Sequence, residues 1–180
     1  MKVEQEAVQS ILRAERPHRV LDVGTGTGRN LRLLANLGAP VVIGLDLNRA
    51  MLSNARAVGA PLVQGDASRL PVAEGAFDAI VASLMVGDIE NLRPWAEEAY
   101  RALEPSGFLV YSDFHPSWSE RNWQRTFRTE SGRARRVRYY PHTLQAHRNT
   151  LRSAGFRVTR IIEPRIEREP VLVVVCAHKC

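Results

Sequence analysis

Apolar residues fall into two alternating rhythms along this chain. Short apolar runs that end at an acid, a glycine or a serine alternate with longer stretches in which apolar residues recur every three or four positions. The first rhythm predicts buried strands and the second amphipathic helices. Val3, Ala7, Val8, Ile11 and Leu12 share one helical face ahead of Pro17, predicting an N-terminal helix. Residues 19–23 (RVLDV), 41–46 (VVIGLD), 62–66 (LVQGD), 77–83 (FDAIVAS) and 108–113 (FLVYSD) read as five strands. Between them, Leu31, Leu34 and Leu37 keep helical spacing up to Gly38, which ends that helix. Asn48 is placed as the N-cap of a helix carrying Met51, Ala55 and Val58. Leu92, Trp95, Ala96, Ala99, Tyr100 and Leu103 form a third stripe, and Leu144 and Leu151 mark a further helix closed by Gly155.

The alternation predicts βα units around a parallel sheet. The last two runs, 156–162 (FRVTRII) and 171–179 (VLVVVCAHK), have no helix-length segment between them. Adjacent strands without a crossover must be antiparallel. The expected fold class is α/β, with five parallel strands and an antiparallel hairpin at one edge. A chain of 180 residues is sized for one domain with a real core.

Composition adds limits. The hydrophobic fraction of 44% and the charged fraction of 24% are ordinary for a globular domain. The longest wholly apolar run, 171–177, is far too short to span a bilayer. The opening MKVEQEAVQS has no apolar signal core. Two cysteines, Cys176 and Cys180, make no disulfide framework, and a cytoplasmic location is expected.

The chemistry-bearing stretch is VLDVGTGTGRN, residues 20–30. Glycines after a first strand let backbone approach a ligand closely, and the loop feeds a helix N-terminus. The spacing Gly24, Gly26, Gly28 is G-x-G-x-G, whereas a dinucleotide fingerprint needs a third glycine where Arg29 stands. A phosphate-binding P-loop needs G-K-[ST] in place of Gly28-Arg29-Asn30. Asp22, Asp46 and Asp66 stand at the ends of the first three strands. Strand C-terminal ends line the ligand crevice of open α/β sheets. There, Asp46 is spaced to accept ribose hydroxyls and Asp66 to accept an exocyclic amine. Each acid alone also fits a turn or a helix cap.

In these residues the chain resembles class I S-adenosylmethionine-dependent methyltransferases of the small-molecule type, including ubiquinone/menaquinone-biosynthesis-like and malonyl-carrier-protein methyltransferases. VLDVGTGTGRN, GLDLN, QGDASRLPVAEGAFDAIVASLMVGDI and LEPSGFLVYSDFHP carry the resemblance over roughly residues 19–116. It implies a Rossmann-like seven-stranded sheet of order 3-2-1-4-5-7-6 with the last strand reversed. It implies S-adenosyl-L-methionine as cofactor, with S-adenosyl-L-homocysteine as product. By the resemblance, Gly24, Thr25, Gly26 and Gly28 meet the methionine and ribose portion, and Asp22 orients the methionine amine. Asp46 holds the ribose, Leu47 packs on the adenine, and Asp66 with the Ala67 backbone reads the adenine edge. Ser83 and Leu84 lie beside the transferred methyl. The family has no fixed catalytic residue.

On the acceptor side, His115, Tyr139 and His142 are the candidate contacts. Residues 114–140 form an insertion expected to cap the acceptor pocket. It holds seven arginines against two glutamates, a surplus of +5 within a chain of net charge +6. Arginine suits carboxylate or phosphate, so an anionic small molecule or a carrier-bound acyl group is the expected acceptor. RNA or protein methylation, and an NAD-dependent oxidoreductase, are the alternatives. Trp118, Trp123 and Phe127 interleave with the arginines, as in some RNA binders. Cys176, His178 and Cys180 share one face of a strand, but three ligands from one strand end predict no metal site. No membrane partner is expected.

Overall fold

The seven apolar runs form one mixed sheet. The computed structural model describes residues 2–121, 123–128 and 132–180. The strands are β1 (Arg19–Val23), β2 (Val41–Asp46), β3 (Leu62–Gln64), β4 (Phe77–Ser83), β5 (Leu103–Phe114), β6 (Phe156–Ile162) and β7 (Leu172–Lys179). Their order is 3-2-1-4-5-7-6. β1 pairs in parallel with β2 and β4, β2 with β3, and β4 with β5. β7 runs antiparallel between β5 and β6, as the missing crossover helix requires.

Helices cover both faces because successive strand side chains point to opposite sides. On one face, Leu21, Ile80, Leu109, Tyr111 and Val175 pack with Trp95, Ala96 and Ala99 of α4 (Leu92–Ala102) and Leu151 of α5 (Leu144–Ser153). On the other, Val20, Val81, Val110 and Val174 pack with Val8, Ile11 and Leu12 of α1 (Lys2–Glu15) and Leu34 of α2 (Arg29–Asn36). α3 (Arg49–Ala55) opens on Asn48, whose side chain accepts from the Ala50 and Met51 amides.

Two strand boundaries shift by more than one residue from the sequence pattern. β3 ends at Gln64 because the Gly65 amide donates to the Asp46 carbonyl at 3.1 Å and Asp66 closes a turn on Ser68. β5 starts at Leu103, opposite Phe77, and absorbs the Pro-Ser-Gly turn as a register shift with Ser106 at φ 68°.

After β5 come a 3-10 turn, Pro116–Arg121, and a small antiparallel ladder pairing Thr126–Arg128 with Ala134–Arg136. Arg133, Arg135 and Arg136 are exposed there. Glu130, counted in the charge of this segment, lies outside the described residues.

Candidate functional site

Three strand ends meet at one acid. The Thr25 amide donates to the Leu45 carbonyl at 2.9 Å, and the Gly26 amide donates to Asp46 Oδ2 at 2.8 Å. The Asn48 amide donates to Asp46 Oδ1 at 2.8 Å. With Gly65 on its carbonyl, Asp46 ties the loop after β1 to the ends of β2 and β3. Each carboxylate oxygen has a second lone pair, so this acid can still accept from a ligand's hydroxyls. Beside it, Leu47 is 66% exposed and Met51 42% exposed, an apolar shelf at the mouth of the crevice.

The loop depends on glycine at its first position. Gly24 has φ +69°, and a Cβ there would stand 2.4 Å from Met85 Cγ. Backbone that close to the end of β4 leaves room for a ligand only because no side chain intervenes.

Asp22 lies beneath this loop, fully buried. Thr25 Oγ1 donates to its Oδ2 at 2.5 Å and Asn30 Nδ2 to its Oδ1 at 3.0 Å. Burial pushes its carboxyl up to about 6, against the pull of those two hydrogen bonds and of Arg29. Asp66 accepts from the Ser68 amide at 2.8 Å and from Ser68 Oγ at 2.7 Å, and these bonds hold it below its ordinary value. Ala67 packs against the core beside it.

At the end of β4, Ser83 Oγ is buried and has no hydrogen-bond partner among the described residues. Leu84 has φ 56°, a left-handed conformation that a side chain this large adopts at a cost of about 1–3 kcal/mol. Its amide donates to the Ser112 carbonyl at 2.9 Å, which holds it there. Strain of this kind concentrates at functional sites.

The acceptor-side candidates separate. Both ring nitrogens of His115 are engaged, Nδ1 with Ser117 Oγ at 2.7 Å and Nε2 with Glu163 Oε2 at 3.1 Å, toward β6. His142 Nε2 meets the Ile89 carbonyl at 2.7 Å, and its ring packs on His147. Tyr139 lies elsewhere: its ring packs on Phe114 and Trp123, and its hydroxyl donates to the Phe114 carbonyl at 3.2 Å.

Beside Tyr139 is an acid that motif reading passed over. Asp113 is 1% exposed, and burial pushes its carboxyl up to about 7. Its Oδ1 accepts from the Phe114 amide at 2.8 Å, and that bond, the charge of Arg125 and the Tyr139 hydroxyl pull the carboxyl back down. Asp88 stands nearby in an ion pair with Arg125 of the insertion. Asp113 closes the apolar run 108–113 just as Asp46 closes 41–46. Its place at a strand's C-terminal end was the available signal.

At the opposite end of the sheet, Glu15, Cys176 and His178 bring their ligand atoms within 4.8 Å of one another. His178 Nε2 is 3.4 Å from Glu15 Oε2, and burial pushes the Cys176 thiol up, so it stays protonated.

Comparison with known proteins agrees with the fold. A family described as "Methyltransferase domain" matches residues 21–111, half of the chain. A demethylmenaquinone methyltransferase of Beutenbergia cavernae is 34% identical over 118 residues, covering 64% of this chain and 49% of that protein. A malonyl-[acyl-carrier protein] O-methyltransferase of Enterobacter lignolyticus is 36% identical over 109 residues, covering 59% of this chain and 43% of that protein. The chain thus spans about half the length of the curated relatives it matches. Among solved structures, an S-adenosylmethionine dependent methyltransferase from Mesorhizobium loti superposes with a TM-score of 0.82 at 24% identity over 98% of both chains. One from Listeria monocytogenes gives 0.82 at 21% identity over 100% of both. At these identities the superpositions establish the shared fold.

Proposed function

Because the chain belongs to the methyltransferase-domain family, we propose that it transfers the methyl group of S-adenosylmethionine to a small-molecule or carrier-bound acceptor. The observation that carries this reading is the Gly26 amide on Asp46 Oδ2, with the apolar shelf of Leu47 beside it. Together they offer a carboxylate for ribose hydroxyls and a flat apolar surface for adenine. Asp66 and Ala67 take the adenine edge; Gly24, Thr25, Gly26 and Gly28 take the methionine portion. Asp22 acts from below, holding Thr25 and Asn30 so that the loop keeps its shape. Ser83 and Leu84 border the methyl, where the buried Ser83 hydroxyl, without a hydrogen-bond partner among the described residues, is free to meet a polar atom of the ligand.

The cofactor, when bound, supplies a methyl already activated by its sulfonium. The protein's part is to bind, orient and exclude water. The described residues between 114 and 140 form the cap on the acceptor side, and Tyr139 is the acceptor-facing candidate among the three named from sequence. Among the described residues, no helix is long and apolar enough to cross a membrane.

Calorimetry with S-adenosylhomocysteine tests the reading. Saturable binding supports it. Absence of binding at millimolar ligand, with thermal protection by NADH instead, overturns it in favour of an oxidoreductase.

A further inference from the structure

We propose that Glu15, Cys176 and His178 form a binding site for one zinc ion, apart from the methyl-transfer crevice. From sequence, Cys176, His178 and Cys180 share one strand end and predict no site. The fold changes the set of ligands. Cys176 and His178 stand two apart on β7 and so share its α1 face. Glu15 is the last residue of α1. One ligand thus comes from a helix end and two from a strand inside the sheet. Their ligand atoms all lie within 4.8 Å of one another.

The first support is a distance. His178 Nε2 stands 3.4 Å from Glu15 Oε2. A charge-assisted hydrogen bond between such groups closes to about 2.7–2.9 Å. Ligands around a tetrahedral zinc ion stand farther apart, since bonds of about 2.0–2.3 Å set them roughly 3.3–3.6 Å from one another. The imidazole and the carboxylate already hold that spacing. The thiol has at most about 1.2 Å to close on each of them.

The second support is the proton on the other ring nitrogen. Thr159 Oγ1 donates to the Cys176 carbonyl at 3.2 Å and lies 3.2 Å from His178 Nδ1. Its one proton is committed to the carbonyl, so Nδ1 donates to it. The neutral ring then turns the lone pair of Nε2 toward Glu15. A proton on Nε2 would draw the pair to hydrogen-bond length, whereas a metal ion between them fits 3.4 Å. Thr159 reaches its place through a bulge. Cys176 pairs with Arg160 and Ala177 with Val158, which leaves Thr159 as the extra residue on β6. Bulges re-aim side chains, and metal-binding histidines are oriented through their second nitrogen in this way.

Charge is the third. Glu15 and a Cys176 thiolate together neutralise a divalent ion, and His178 stays neutral. Arg160 on β6 also acts on the thiol, and it meets no net charge once the ion is bound. The C-terminal end of α1 adds partial negative charge. Sulfur with imidazole and one carboxylate selects zinc over magnesium or calcium. Burial keeps the free thiol protonated, so the ion displaces that proton. The S–H bond breaks, its electron pair forms the bond to zinc, and the proton leaves to solvent. The His178 and Glu15 side chains are 22% and 29% exposed, which gives the ion an entry path and a water the fourth position. The site fastens the end of α1 to the sheet. Near the other end of that helix, Glu4 accepts from Ser112 of β5 at 2.8 Å.

The test uses the full chain, free of any affinity tag, stripped with a chelator and kept reduced. Cobalt(II) is titrated in as the probe, and zinc is then used to displace it. One ion per chain is expected, with a thiolate-to-cobalt charge-transfer band and the intense visible bands of a tetrahedral ion. Cys176→Ser should abolish the charge-transfer band. Glu15→Gln lies at a helix end, so it should fold without metal, and it should bind zinc about 100-fold or more weakly. Thr159→Val should weaken zinc binding about 10- to 100-fold through the ring it orients. Cys180→Ser should leave the spectrum unchanged. Zinc should raise the thermal midpoint of the wild type and leave that of Glu15→Gln in place. The weak spectrum of an octahedral ion overturns the proposal. So does a charge-transfer band that survives Cys176→Ser or is lost in Cys180→Ser, since either marks adventitious binding by the terminal thiol. None of these readouts involves S-adenosylhomocysteine, so they stand or fall separately from the methyl-transfer reading.

Discussion

The amide of Gly26 donates to the side chain of Asp46 across 20 positions of sequence, at 2.8 Å. One bond thus holds the glycine loop in register with the end of β2. The same carboxylate closes the turn into α3 through the Asn48 amide. Asp46→Ala is expected to remove both bonds together with the ribose contact. A hydrogen bond to a charged group contributes about 1.5–3 kcal/mol, so affinity for S-adenosylhomocysteine should fall roughly 10- to 100-fold. Asp46→Asn keeps an oxygen for one donor and should fall between the two. Isothermal calorimetry reads both, and unchanged affinity in the alanine variant would remove Asp46 from the cofactor site.

Gly24 and Met85 make a second measurable pair. Gly24→Ala drives a Cβ to 2.4 Å from Met85 Cγ while keeping a positive φ. Overpacking costs about 1–3 kcal/mol, and the left-handed conformation adds about 1 kcal/mol. Shortening the neighbour to alanine removes the contact with Cγ but keeps Met85 Cβ at 2.8 Å, so it should relieve part of the packing cost and leave the backbone part. Urea denaturation of the four-member cycle is expected to show a coupling of about 1–3 kcal/mol. Simple additivity would mean that the loop moves away from β4 instead.

Strand runs and the acids at their ends were legible because both are local. An apolar run ending in Asp is visible in six residues, and the rule that ligands sit at strand C-termini does the rest. The reversed β7 followed from a missing helix. Other features depend on register between distant segments, which no short pattern carries. Leu84 sits at φ 56° because β4 ends against Ser112 of β5. His115 and His142 stood out by residue type, yet their ring nitrogens meet Ser117, Glu163 and the Ile89 carbonyl. Partners decide a histidine's role, and partners come from the fold.

Glu4 illustrates the same limit. Its spacing from Val8 and Ile11 puts it on the apolar face of α1, where it is 1% exposed, but nothing local shows what pairs with its charge. Ser112 Oγ donates to its Oε1 at 2.8 Å, and Arg29, first residue of α2, pairs with its Oε2 at 2.6 Å. It thus clamps α1 to the helix that follows the glycine loop. Removing one partner of a buried pair costs about 3–5 kcal/mol; Arg29 is partly exposed, which discounts this to about 2–3 kcal/mol. Glu4→Ala should lose that much stability in urea and also bind cofactor more weakly through a loosened α2. A loss below about 0.5 kcal/mol, the range of ordinary surface substitutions, would show that the clamp is dispensable.

Asp22 gives a prediction whose sign runs against the usual behaviour of a carboxylate. Its folded value is about 6 against an ordinary 3.8, so the native state holds the proton more tightly than the unfolded chain. Stability contributed by this group is therefore complete below about pH 4 and is lost as pH rises toward 6. A shift of about two units corresponds to about 3 kcal/mol. Asn at this position can keep its oxygen toward Asn30 and turn its amide to Thr25 Oγ1, which then accepts. Asp22→Asn should gain on the wild type by about 1–2 kcal/mol more at pH 7.5 than at pH 4.5, levelling off above pH 7. Paired urea titrations across that range check it. A difference between variant and wild type that stays flat with pH would show that Asp22 is ionised in the native protein at both ends. The hydrogen bonds from Thr25 and Asn30 would then outweigh its burial.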